Sequence, residues 1–452
     1  IHLHFDWDNA NISVMDDGIG MSDAELEAAM TLGSINPLDV RSSSDLGRFG
    51  MGLKTASFSQ CRRLTVASKR KDGEIICLRW DLDAIANDPE LGWSMFEGPA
   101  LGSERFIQPL EAMRSGTLVL WEILDRVITP DSDVQHFTDL ADDVESRLAM
   151  IFHRLIEGSR PEFRLFINNR AVSPWDPFMT GHPAKPWESP VAKIKTPSGL
   201  VEVQCHVLPH KDRLSESDFQ KAGGPEGWIS QQGFYVYRNR RLLLAGGWLG
   251  LGQGRAWNRE ESHRLARIQV DIPNSADADW KIDVKKSTAR PPVFIRSKLT
   301  DLAENTRDRA RKVFAFRGSP ALGLGGAQID HAWRVEHLRS GIRYRISEEH
   351  PAITAVIEAC GDRKDLVRAM LRVIEETVPV QRIWLDTAEN KDTPITGFDG
   401  EPNAAVLEVA SILFNDLVER KGLSIEDAQK SMLRTEPFQK YPSLIERLGR
   451  SE

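Results

Sequence analysis

Residues 15–65 read MDDGIGMSDAELEAAMTLGSINPLDVRSSSDLGRFGMGLKTASFSQCRRLT, and the reading of this stretch decides the fold. Its first glycine-rich turn, Asp16-Asp17-Gly18-Ile19-Gly20-Met21, follows an alternating run of Ile12, Val14 and Asp16 that predicts a strand. A carboxylate at a strand end, followed by Gly-x-Gly, stands beside backbone with no side chains in the way. It can accept a hydrogen bond from an exocyclic amine such as that of adenine. The second turn, Gly47-Arg48-Phe49-Gly50-Met51-Gly52, runs into an apolar helix over 53–58 that begins Leu53, Lys54, Thr55. Backbone N–H groups of such a turn approach an anion closely, and the helix N-terminus adds partial positive charge. Between the turns, Ser22-Asp23-Ala24-Glu25 is a capping box that starts a helix running to about residue 32, with Gly33 as its stop. Residues 34–46 are polar, with Pro37 and three consecutive serines, and suit a lid over a ligand or a plain surface loop.

The second turn fits neither of two common phosphate-binding patterns. Its order is G-x-x-G-x-G and polar sequence precedes it, whereas a dinucleotide fold needs G-x-G-x-x-G after a strand. A P-loop needs Lys directly after its last glycine, and here Leu53 intervenes, about 100° of helical rotation. The two turns together, DDGIGM and then LGRFGMGLKTAS, resemble the GHKL ATPases, the superfamily of DNA gyrase B, heat-shock chaperone, histidine kinase and MutL domains. Within it they look most like the MORC branch and its bacterial MutL-like relatives. The resemblance covers about the first 300 residues and is sharpest over 15–57.

Composition is compatible with that resemblance. A chain of 452 residues with 41% hydrophobic and 27% charged residues predicts two or three globular domains. No run reaches membrane-span length, and no secretory segment is visible. Cys61, Cys77, Cys205 and Cys360 are scattered, which argues for a reducing, cytoplasmic setting and against a zinc module. With a net charge of −8, any nucleic-acid binding needs local basic patches.

The chain starts inside a predicted strand, residues 1–7, and Asp8-Asn9-Ala10 reads as the turn of a hairpin into Ile12 and Val14. The resemblance implies an earlier helix with a Glu that activates water and an Asn that holds Mg²⁺, so a segment upstream of Ile1 is expected. Without it the chain is expected to turn over ATP poorly. Further strands are predicted over 64–68, 74–81 and 117–123, then a helix over 144–156, strands over 163–167 and 200–207, a hairpin over 233–244 and a helix over 295–314. The order after residue 128 resembles the transducer domain of MutL-type ATPases. Residues 317–330 are a Gly/Pro linker, and beyond it the chain reads as mainly helical, with helical spacing over 362–377 and 403–420. His331, His337 and His350 lack metal-ligand spacing.

The expected architecture is α+β. It has a Bergerat-type α/β sandwich ATPase domain over 1–128, a MutL-like β-α transducer over 129–316, the linker, and a helical domain over 331–452. The resemblance implies ATP and Mg²⁺ as cofactors and gives the residues their roles. Asp16 reads the adenine amine; Gly18, Gly20 and Met21 shape the adenine wall. Gly47, Arg48, Phe49, Gly50, Met51, Gly52 and Leu53 present backbone to the phosphates, with Lys54 and Thr55 close by. Thr117 assists Asp16, though a β-branched residue in a strand needs no such role. Lys286, or its neighbour Lys285, reaches the γ-phosphate from the second domain; two solvated lysines after a strand are the plain alternative. The implied activity is slow, Mg²⁺-dependent ATP hydrolysis in a switch that dimerises on ATP and clamps DNA. MORC-like relatives place it in a bacterial DNA-processing or antiphage defence system with companion nuclease or helicase proteins. A chaperone-like clamp on polypeptide is the alternative. For DNA, the hairpin-tip residues Arg238, Arg240 and Arg241 are the richest candidate, then Arg307, Arg309, Arg311 and Lys312; a solvated charged face explains either set equally.

Overall fold

A computed structural model describes residues 1–31, 52–88, 90, 92–276, 279–281, 289–315, 330–338, 341–383, 404–438 and 441–448. The chain divides into two units, Ile1–Gly318 and Ser319–Glu452.

The hairpin expected at the start forms. Strand β1 (His2–Asp6) pairs antiparallel with β2 (Asn11–Asp16), setting Phe5 opposite Ile12. The Asp6 carboxylate closes the turn by accepting from the Asn9 backbone at 3.0 Å and its side chain at 2.7 Å. Helix α1 (Asp23–Met30) begins where the capping box predicts, with Glu25 accepting from the Ser22 N–H and hydroxyl. Helix α2 (Gly52–Phe58) leads into β3 (Arg63–Lys69) and β4 (Ile75–Asp81). Two short helices, α3 (Leu82–Asn87) and α4 (Glu104–Ile107), flank β5 (Phe96–Glu97), and β6 (Gly116–Glu122) follows. The helix predicted over 144–156 is in fact two, α5 (Val134–Ile151) and α6 (His153–Ile156). The first starts earlier because Asp133 caps it, accepting from the His136 N–H at 2.9 Å.

The strand predicted over 163–167 shrinks to β7 (Phe166–Ile167), which pairs with β8 (Arg170–Ala171). These two do not join the second sheet. β7 lies parallel to β1, so the first sheet runs β5-β4-β3-β6-β2-β1-β7-β8. Its main core joins Phe5, Ile12, Leu64, Val66 and Trp80 to Leu26 and Met30 of α1 and Phe137 of α5, and reaches Val172, past the expected bound at residue 128.

A second sheet of the same unit contains β9 (Trp187–Glu188), β10 (Ala192–Thr196), β11 (Gly199–Val207), β12 (Gly233–Arg238), β13 (Arg241–Ala245) and β14 (Ala266–Ile272). Its order is β10-β11-β14-β12-β13, with β9 on β11. Helices α7 (Glu216–Gly223) and α8 (Gly227–Ser230) precede β12. One face, carrying Val203, Ile268 and Val270, packs on Ile295 and Leu299 of α9 (Val293–Ala315). On the other, Tyr235 and Tyr237 pack with Met150 of α5 and Phe178.

The second unit is not wholly helical. A two-stranded sheet of β15 (Trp333–Leu338) and β16 (Gly341–Ile346) opens it. Helices α10 (Pro351–Ala359) and α11 (Lys364–Glu376) follow, then helices over Ala404–Asn415, Ile425–Met432 and Pro442–Arg447. Its core joins Ala355, Leu413, Phe414, Leu417, Met432 and Ile445. Among the described residues no helix is long and apolar enough to cross a membrane.

Candidate nucleotide-binding site

Three rows of side chains cross the middle of the first sheet, strand by strand from β2 through β6 to β3. Ile12, Trp121 and Leu64 form one row, and Val14, Val119 and Val66 the next. The third is polar: Asp16 stands opposite Thr117, and Thr117 opposite Ser68. Because side chains alternate with period two, all three rows share one face. Ile12, Trp121, Leu64, Val119 and Val66 of the apolar rows belong to the core under α1, α2 and α5, and the polar row closes it at the end of the strands.

The first glycine turn is fitted onto this row. The Gly18 N–H donates to Asp16 Oδ1 at 2.8 Å, and Oδ2 has no partner among the described residues. A Cβ on Gly18 would sit 2.7 Å from that same Oδ1, so only glycine leaves the carboxylate its place. Gly20 has φ +70°, and a Cβ there would come within 2.0 Å of the Lys69 carbonyl oxygen. The Met21 N–H donates to Ser68 Oγ at 2.8 Å, and Ser68 Oγ lies 2.9 Å from Thr117 Oγ1. Ser68 therefore ties the turn to the row. Sequence reading missed it; its only signal is register, two residues beyond Val66 on the same face.

Helix α2 is held by polar contacts on its inward side. Ser57, fully buried, accepts from Trp121 Nε1 at 2.8 Å and donates to the Leu53 carbonyl at 2.6 Å. Leu53 packs on the first core. Lys54 is buried too, and its ammonium donates to the carbonyls of Ala29 at 2.9 Å and Thr31 at 2.8 Å. Trp80 Nε1 donates to the Met30 carbonyl at 3.0 Å. Helix α1 has no basic residue in its own last turn, so Lys54 and Trp80 satisfy its C-terminal carbonyls. Burial holds the Lys54 ammonium below its ordinary pKa. Where contact with phosphate is expected of Lys54, the structure thus commits its charge to α1. Thr55 is exposed, and a Cβ on Gly52 would meet open space.

Gly47, Arg48, Phe49, Gly50 and Met51 lie outside the described residues, as do Lys285 and Lys286. Among the described residues no three His, Cys, Asp or Glu side chains gather into a metal site.

The hairpin expected to offer arginines to DNA forms, with Asn239 and Arg240 at positive φ, but its charges are spent inside the unit. Arg238 is buried. Arg240 pairs with Glu162 and donates to the Arg154 carbonyl. Arg241 lies over the Phe152 ring at 5.3 Å. Arg307 is buried against the rings of Trp248 and Trp257, 4.6 Å from each, and Arg309 lies over Trp187 at 4.2 Å. Of these candidates only Arg311 and Lys312 extend from α9 free of aromatic rings, and Arg311 pairs with Asp308 at 3.4 Å.

Residues 1–117 match the family of histidine kinase-, DNA gyrase B-, and HSP90-like ATPases. The match ends on Thr117 and so contains the whole polar row. This part of the chain is a GHKL-type ATPase domain, which implies ATP binding and hydrolysis. No curated protein matches the chain.

Proposed function

We propose that the chain is a MORC- or MutL-like ATP switch that closes on ATP, dimerises and clamps DNA, as part of a bacterial DNA-processing or antiphage defence system with nuclease or helicase partners. The observation that carries the nucleotide half is the register that lines up Asp16, Thr117 and Ser68, with Oδ2 of Asp16 left over. In this reading Oδ2 accepts from the adenine amine, and Thr117 adds a hydroxyl beside it. Gly18, Gly20 and Met21 form the wall. The turn over 47–52 and the start of α2 receive the phosphates, with Mg²⁺ accompanying them. Lys286, or Lys285, senses the γ-phosphate. The domain bounds at 128 and 316 belong to the same proposal.

Calorimetry on the whole chain with non-hydrolysable ATP and GTP analogues tests the nucleotide half. Guanine offers a carbonyl where adenine offers the amine, so the GTP analogue should bind at least roughly tenfold more weakly. Equal affinities would overturn the role of Asp16. Lys286→Ala should keep ADP affinity and slow turnover at least about tenfold. Duplex DNA should stimulate turnover. The arginines spent around β12 and β13, together with Leu366, Met370 and Val373 exposed on α11, favour a clamp on polypeptide as the second reading. Stimulation by an unfolded polypeptide, and not by DNA, would select it.

A further inference from the structure

In the second unit, α11 and the β15/β16 hairpin meet through their charged sides. Arg334 stands opposite Arg345, and Glu336 opposite Arg343, across the hairpin. Glu375 of α11 accepts from Arg345 Nη1 at 2.6 Å and from the Ile346 N–H at 2.8 Å. The apolar side chains lie outward instead: Leu366, Met370 and Val373 are 70, 55 and 62% exposed, and Val335 and Tyr344 about half. Two layers normally bury their apolar faces against one another. Here the space between them is a cleft of about 570 Å³ lined by four arginines and three glutamates together with Ile346, Ala369 and Leu371.

The hydrogen bonds of the cleft leave donors over. Both oxygens of Glu375 are taken, by Ile346 and by Arg345 with Arg372, which makes that carboxylate the structural pin. Arg372 spends only Nη1 on it, at 3.0 Å. Arg368 spends Nε on Glu348 at 3.1 Å and Nη1 on Asp365 at 3.4 Å. Among the described residues Arg334 has only an ion pair with Glu336, at 3.3 Å. Nε and Nη2 of Arg372 and Nη2 of Arg368 therefore have no acceptor among the described residues. Arg368 and Arg372, four apart on α11, present these donors on one side of the helix. Spare guanidinium N–H groups match the oxygens of a phosphate, which accept in pairs. The carboxylate of Glu349, without a partner among the described residues, and that of Glu348 supply the complementary chemistry: acceptors for the amino or imino N–H groups of a base edge.

We propose that this cleft binds a nucleotide unit, with Arg334, Arg368 and Arg372 on the phosphate and Glu348 and Glu349 on the base. Its volume is that of a small-ligand site. The proposal stands on the geometry of the second unit alone and does not rest on the ATPase reading. A free nucleotide and one nucleotide of a single strand share this chemistry.

The test uses the whole chain with two probes, a fluorescent oligodeoxycytidine followed by anisotropy and cytidine monophosphate followed by calorimetry. Arg334→Gln with Arg372→Gln removes two cleft guanidiniums while Glu375 keeps Arg345 and Ile346, so the unit retains its pin. Arg363→Gln with Lys364→Gln removes the same charge from the start of α11 outside the cleft. The cleft pair should weaken a bound probe at least tenfold, and for the oligonucleotide flatten the dependence of log K on log salt by roughly 0.7 per lost contact. Loss on both probes assigns a free-nucleotide site, and loss on the oligonucleotide alone assigns a strand site. Asp16→Ala should leave both unchanged while weakening ATP, which separates this site from the ATPase domain. Wild-type binding by the cleft pair, equal weakening by the control pair, or no binding of either probe to the wild type overturns the proposal.

Discussion

Asp16 spends one carboxylate oxygen on its own turn, through the Gly18 N–H, and in the proposed reading the other accepts from the adenine amine. Removing it should spare the fold and weaken ATP: Asp16→Ala should cost about 1.5–3 kcal/mol of affinity for a non-hydrolysable ATP analogue, the worth of a hydrogen bond to a charged group. Unchanged affinity in a folded variant would remove Asp16 from the site. Ser68 has the opposite profile. It is buried and accepts from Met21, so Ser68→Ala leaves that N–H without its acceptor. Unfolding in urea should show a loss of about 1–3 kcal/mol, with the turn at Asp16 loosened. A midpoint equal to wild type would show that water replaces the hydroxyl. The difference between the two residues explains what was legible. Asp16 announces itself, because an acid followed by Gly-x-Gly is a local pattern with a backbone reason. Ser68 is one polar residue in a strand, and only the pairing of β3 with β6 brings it to Thr117.

Helix α2 shows the same limit one level up. Its place and length are legible from 53–58. The direction of Lys54 is not legible, because the carbonyls it meets belong to α1, more than twenty residues earlier. A lysine beside a glycine turn reads as a phosphate ligand until the end of another helix is known to need a cation. Lys54→Met keeps much of the volume and removes the donor, so the Ala29 and Thr31 carbonyls lose their partner. The expected loss is about 1.5–3 kcal/mol in chemical denaturation, with an unchanged m-value. A stability equal to wild type would mean that desolvating the ammonium costs as much as its two bonds return. The hairpin of β12 and β13 is a parallel case. Its strands and turn follow from the alternation, but Arg241 finds an aromatic face and Arg240 a carboxylate that no local rule supplies.

Across the first unit, the order of strands and helices was largely legible, and the partner of each sheet face was not. The run Val201-Glu202-Val203-Gln204-Cys205-His206-Val207 alternates like a strand with one face in water. Yet His206 is buried, its ring 4.5 Å from that of Phe178, and His153 of α6 lies 2.9 Å from the Tyr237 hydroxyl on the same side of the sheet. Helices α5 and α6, with Phe178, cover the polar face just as α9 covers the apolar one. Burial pushes both histidines down to about 4; Asp176 pulls the other way, and Arg154 adds to the shift. The sign for stability follows. Above the unfolded histidine value of about 6.5 neither state binds the proton, and folding is indifferent to pH through these groups. Between about 6.5 and 4 the unfolded chain takes up protons that the buried rings refuse, so stability falls as pH falls. The loss is on the order of 2–3 kcal/mol per histidine by pH 4. Urea unfolding from pH 7 to 4.5, followed by tryptophan fluorescence, should show the midpoint dropping steadily over that window. His206→Phe, which keeps a ring against Phe178 and cannot bind a proton, should remove part of the drop and leave the rest, since burial also holds His153, His263 and His350 below the ordinary histidine value. If the variant falls as steeply as the wild type, the acid sensitivity lies in the carboxylates and not in the covered face of the second sheet.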